Sequence, residues 1–215
     1  MARCKYALNN YENNVDFIPD DVAGEFDIPV IKPEQYTGET DWVSFTNAAS
    51  TRNKEKYSVH FFIYDYLFMR LWTHKMKYLD MLQQFNAVMS PDFSLYTDWP
   101  KMVQMFNHYR KHLLGAWMQS NGIKVYPTIA WSDRKSYAWC FDGEPHGGTV
   151  CVSSVGTQKS KESSRLFMDG YERMMSELSP TTVLFYGKVP TECTGNIVKI
   201  QPFYAKLGGG KGDET

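Results

Sequence analysis

Short apolar runs alternate along this chain with longer segments of helical period, and that alternation restricts the fold more than any other feature. The run SVHFFIYD, residues 58–65, is almost continuously apolar. A strand with one wet face would alternate polar and apolar residues, so this pattern predicts a strand covered on both faces. The runs DWVSFTNA, NAVMSPDF, KVYPTIAW, TVCVSSV, TTVLFYGK and NIVKIQPF read as further strands. Three helical patterns lie among them. One covers residues 66–85, with Phe68, Leu71, Trp72, Leu79 and Leu82 on its apolar stripe and Lys75 interrupting it. The second begins after Asp98, read as its N-cap, with Pro100 in the first turn. Its expected buried stripe is Met102, Phe106, Tyr109, Leu113 and Trp117, and Gly122 ends it. The third follows Ser160, read as its cap, and stops before Pro180.

Strands separated by helices predict βα units and a mostly parallel sheet. The fold class is therefore α/β. The predicted form is a small or incomplete TIM-barrel-like arrangement, because a complete eight-fold barrel typically takes about 250 residues; the alternative is an open doubly wound sheet. Residues 1–27 read as an irregular arm, 28–204 as a single α/β domain, and the glycine-rich 205–215 as a flexible tail. Within DIPVIKP, Pro29 and Pro33 suit an edge strand.

A formal net charge of −1 disfavours a protein that coats nucleic acid non-specifically. No apolar stretch is long and uninterrupted enough to span a bilayer, and residues 1–17 have no signal-peptide core. The four cysteines have neither metal-ligand nor disulfide-framework spacing. These features predict a cytoplasmic protein that does not enter a membrane.

Parallel α/β folds place ligands at the carboxyl ends of their strands. That rule selects Asp65, Asp92 and Asp133 as the residues with most chemical content. Converging carboxylates can share acid and base roles, or hold a divalent cation such as magnesium, with Asp65 and Asp92 as the ligands. Taken singly, each has a plainer role: a helix cap for Asp65, and turns for Asp92 and Asp133. The loop SSVGTQKSKES is the second candidate. Ser154, Gly156, Thr157 and Lys159 stand before a helix N-terminus, where an anion is favoured. The loop matches neither phosphate fingerprint, so it can equally be a turn whose Ser160 caps the helix. Arg110, Trp131 and Lys188 complete the expected ligand-binding set. Of the histidines, His60 reads as a core residue, His74, His108 and His112 as surface residues, and His146 as lying on the face opposite the site.

The stretches SPDFSLY, PKMVQMFNHYRKHLLGAWMQSNGIKVYPTIAWSD, FDGEPHGGTVCVSSVGTQK and LSPTTVLFYGK, in that order, carry a resemblance. Across residues 28–190 the chain resembles a phage and prophage family known as a domain of unknown function, number 4417 in its series. The resemblance implies a viral or mobile-element origin in bacteria, and supplies no catalytic residues. The residues themselves favour a site for a phosphorylated small molecule or nucleotide, bound or processed, inside the bacterial host cell. The alternative is a replication or host-takeover module for single-stranded nucleic acid or a host protein, with Trp131, Tyr137 and Trp139 near Arg134 and Lys135 as stacking residues.

Overall fold

The computed structural model describes residues 12–38 and 40–201. The expected tail at 205–215 lies outside them. Two short strands, β1 (Val22–Ala23) and β2 (Ile28–Pro29), pair antiparallel at the start of the chain, so the proline-flanked segment does form an edge. β3 (Asp41–Ser44) then enters α1 (Phe45–Ala48), which takes over the second half of the expected strand 41–48. A 3-10 turn, Lys54–Lys56, leads into β4 (Tyr57–His60).

The single helix expected over 66–85 is two, α2 (Asp65–Thr73) and α3 (Lys75–Leu82). The break is at His74, whose φ of −142° and ψ of 45° are not helical. Lys75, out of place on the apolar stripe, is buried because its ammonium donates to Asn14 Oδ1 at 2.7 Å and to Asp16 at 2.8 Å. After β5 (Ala87–Met89) comes the long helix α4 (Lys101–Ser120). Pro100 rather than Asp98 occupies its N-cap position, and no side chain caps it. Gly122 follows the helix end with φ +77°, as a C-terminal glycine should. β6 (Val125–Tyr126) is followed by an irregular stretch with a 3-10 turn, Ser136–Ala138. β7 (Thr149–Ser153), α5 (Lys161–Leu178), β8 (Thr182–Tyr186) and β9 (Ile197–Ile200) complete the order.

β3, β4, β5 and β6 form one parallel sheet in sequence order, and β7, β8 and β9 form another. A parallel bridge between Thr128 and Cys151 joins them, with Ile129 N donating to Cys151 O at 2.8 Å and Cys151 N to Pro127 O at 2.8 Å. Among the described residues no ladder returns β9 to β3, so the sheet is open and no barrel closes. The α/β class and the alternating parallel βα units are as the sequence pattern predicts. The carboxyl ends still face one another in part: the Tyr186 ring lies 5.1 Å from both His60 and Phe62.

Two apolar cores stabilise the arrangement. One is built on Val59, Phe61, Phe68, Val88 and Trp117, the other on Val150, Phe167, Tyr171 and Phe185. The arm before β3 straps across both. Ile31 N donates to Gly143 O at 2.9 Å, Thr149 N to Glu34 O at 2.8 Å, and Tyr36 N to Thr149 Oγ1 at 2.8 Å. Gln35 Oε1 accepts from Thr181 Oγ1 at 2.6 Å.

Candidate functional site

The turn after β4 delivers Asp65 to the first turn of α2, and the turn after β5 delivers Asp92 and Ser94 beside it. Asp65 does not cap its helix; Tyr64 holds the cap position. Its carboxylate instead accepts from Ser94 Oγ at 2.8 Å and Ser94 N at 3.1 Å. α4 closes the cluster from above. Asn107 Nδ2 donates to Ser94 O at 2.7 Å, and the Arg110 guanidinium donates to Asn107 Oδ1. Arg110 stacks over Phe93 at 4.1 Å and Phe106 at 5.0 Å, and its buried Nε has no partner among the described residues. Burial, then the neighbouring charge of Asp65, push the Asp92 carboxyl up to about 7 against the opposing pull of Lys111. Two of the three predicted aspartates therefore come together. Asp133 does not add to that shift. It sits in a turn, where its Oδ1 accepts from Lys135 N at 2.9 Å and its carbonyl from Ser136.

The serine-rich loop after β7 satisfies itself. Ser154 Oγ donates to Lys188 O at 2.6 Å, and Thr157 Oγ1 donates to Ser154 O at 2.8 Å. Ser160 and Ser163 form a reciprocal capping box at the start of α5, as expected of Ser160. Gly156 takes φ +80° in the turn, and the Lys159 side chain stands exposed. Trp131 packs against α5, its Nε1 donating to Leu166 O at 3.2 Å and its ring 5.5 Å from Phe167. The expected stacking surface is not open: Trp139 is only 2% exposed and lies 5.6 Å from the His108 ring. A surface cleft lined by residues 49–55 and Gln84 lies at the opposite, amino ends of β4 and β5.

The largest departure from the sequence reading is on α4. Met102 and Phe106, expected inside, are 74% and 41% exposed. Between Lys101 and His112 the helix buries Gln104, Asn107, His108, Lys111 and His112 instead. His108 and His112, expected at the surface, are enclosed, while His74 is exposed as predicted; His146 is exposed too. The buried face has the spacing i, i+3, i+4, i+7, i+8, so it is a polar stripe of helical period, visible in the sequence once apolarity is not required of a core face.

That stripe meets Glu144, carried in from the DGEPHGG turn and 4% exposed. Lys111 Nζ donates to Glu144 Oε1 and to Thr128 O, the latter at 2.9 Å. His112 Nε2 lies 3.1 Å from the same carboxylate oxygen, and its Nδ1 lies 2.8 Å from Pro29 O. The His108 ring is 4.4 Å from that of His112, with Nε2 3.0 Å from Asp142 O. Burial raises the Glu144 carboxyl, but Lys111 and His112 outweigh it and leave the group below its ordinary value. Burial holds both histidines low, Lys111 adding to the effect. His60, enclosed at the end of β4, is lowered to about 4 by burial.

An open parallel α/β protein with two polar clusters gathered on one helix is the class these observations define. The chain belongs to the family described as a domain of unknown function, DUF4417, whose model matches residues 20–204. The Gene 1 protein of Mycobacterium phage L5 is 35% identical over 170 residues, covering 78% of this chain and 73% of its own. The Gene 1 protein of Mycobacterium phage D29 is 38% identical over 132 residues, covering 61% of this chain and 49% of its own. The chain is thus a phage domain, as the resemblance implied. No solved structure matches it. Among the described residues, no helix is long and apolar enough to cross a membrane.

Proposed function

We propose that the carboxyl ends of β4 and β5 form a binding site for a phosphorylated small molecule, a nucleotide being the leading case, in the cytoplasm of the bacterial host. The observation that carries this reading is the pairing of Asp65 and Asp92 on successive βα turns, close enough for one charge to raise the other, beside Arg110. Two carboxylates that repel each other are neutralised by a divalent cation. Magnesium is commonly held by one or two carboxylates together with substrate phosphates. Arg110, already oriented by Asn107 and three aromatic rings, supplies the planar donor that phosphate oxygens accept. In a processing reaction Asp92 is the group suited to move a proton near neutral pH. The 153–160 loop and Lys188 remain the farther anion contacts, and Ser154 and Thr157 would have to release their present acceptors to take part.

A thermal-shift panel of nucleotides and sugar phosphates, with and without magnesium, tests this. A ligand at a hundred times its dissociation constant adds about 2.7 kcal/mol. The stabilisation should need magnesium and vanish in Asp65→Asn. If no phosphorylated compound shifts the transition, the reading fails. The rival, an interaction module, loses Trp139 to the core and would instead give a salt-dependent gel shift with single-stranded DNA.

A further inference from the structure

We infer that His108, His112 and Glu144 form a second site, one for a first-row divalent metal ion, with zinc the best fit. This does not rest on the Asp65–Asp92 reading. A neutral imidazole carries one proton, so one ring nitrogen donates and the other offers a lone pair. Pro29 O can only accept, which puts the His112 proton on Nδ1. His112 Nε2 then presents a bare lone pair to Glu144 Oε1 at 3.1 Å, and that oxygen is itself an acceptor. Asp142 O fixes the His108 proton on Nε2 in the same way, leaving Nδ1 bare. His108 Nδ1 and Glu144 Oε2 are both buried and have no partner among the described residues. Lone pairs therefore crowd together with Lys111 as the one side-chain donor to Glu144, and one ligand atom from each of the three residues lies within 4.8 Å of the others. Buried acceptors left facing one another are costly, and a cation between them removes the conflict.

A second proton on His112 would repair only one of these contacts. It would leave His108 Nδ1 and Glu144 Oε2 unsatisfied, and would add a second positive charge to the oxygen that already takes Lys111. The donor chemistry favours zinc or another transition ion. Two imidazoles and a carboxylate form an established three-residue zinc set, whereas magnesium and calcium prefer oxygen alone. His108 and His112 are four apart on α4, which sets both rings on one face. The backbone carbonyls that lock each tautomer are the outer contacts a ligating histidine ordinarily has. The three residues are at most 4% exposed, so the ion would be enclosed and would tie α4 to the 142–144 turn and, through Pro29, to β2.

The test uses the whole chain, purified without added metal and then stripped with a chelator. Zinc should return at about one equivalent, since three convergent donors hold one ion. Cobalt should give the visible absorption of a four-coordinate nitrogen and oxygen site. His108→Gln and Glu144→Gln should each weaken zinc binding by about 100-fold or more, beyond what losing an outer contact costs. His74→Gln and His146→Gln should leave zinc binding unchanged. Should the core variants fail to fold, ring-nitrogen NMR of the zinc-loaded wild-type chain gives the answer, with only His108 Nδ1 and His112 Nε2 moving on loading. A wild-type chain that takes up neither zinc nor cobalt at micromolar concentration overturns the inference. So does a site whose affinity survives both substitutions in folded protein, or a His112 found doubly protonated without metal.

Discussion

The 153–160 loop and the inner face of α4 make opposite use of polar side chains. The loop has the composition of an anion cradle, yet its hydroxyls bond to its own backbone and to Lys188. The α4 face has the outline of an ordinary packed helix, yet it buries His108, Lys111 and His112 around Glu144 with acceptor atoms left unsatisfied. The difference separates polar residues that build a turn from polar residues that await a partner. Composition does not distinguish them; the hydrogen-bond accounting does.

The largest effect should come from removing the centre of the buried cluster. Glu144→Leu leaves Lys111 charged and enclosed, and should cost about 3–5 kcal/mol in urea unfolding. Ser154→Ala, in the loop, should cost about 1 kcal/mol. If the two costs are alike, the contrast between the regions is wrong. The glycines sharpen it next. A Cβ on Gly143, at φ +76°, would lie 2.6 Å from Pro29 O and 2.9 Å from His112 Nδ1. Gly143→Ala should therefore cost about 3 kcal/mol, overpacking and backbone strain together. Gly156 has a similar φ of +80° but nothing within 4 Å of the added atom, so Gly156→Ala should cost only about 1 kcal/mol by the same unfolding measurement.

A third experiment varies pH in the presence of a chelator. The folded Asp92 holds its proton up to about 7, above its ordinary 3.8, so the native chain binds more protons than the unfolded chain between these values. Stability from this group is greatest in acid and falls as pH rises from about 4 to 7. His60 works the other way: held at about 4 against an ordinary 6.5, it costs stability as pH falls below 6.5. Asp92→Asn should raise stability at pH 8 by about 2 kcal/mol and leave the acid side steeper. An unchanged profile would remove Asp92 from the coupled pair. The smallest effect belongs to the helix cap, where Ser160→Ala should cost about 1 kcal/mol and shift the melting temperature by a few degrees.

Much of the sheet is legible in the sequence because a strand covered on both faces leaves a continuous apolar run, as at residues 150–152 and 183–185. The approach of Asp65 to Asp92 follows from the same pattern, since strand ends in parallel units share one side. Two features escape that logic. The break at His74 is a backbone event within a helical pattern that only Lys75 interrupts. The buried face of α4 is concealed because its apolar stripe points elsewhere, and because the group that makes burial tolerable, Glu144, is 33 residues from Lys111. Helical period locates a face; only the partner says whether it is wet.

The strap formed by residues 28–36 has a consequence for how the chain is made. Several of its partners, from Gly143 to Thr181, are more than 100 positions downstream, while its local pairing among the described residues is with the 21–23 segment, through the two-residue ladder with β1 and the Val30 N to Asp21 O hydrogen bond. At ordinary rates of protein synthesis the strap leaves the ribosome on the order of ten seconds before its last partner does. A part made early is therefore among the last to be fastened, and a circular permutant that moved it behind β9 would shorten the wait.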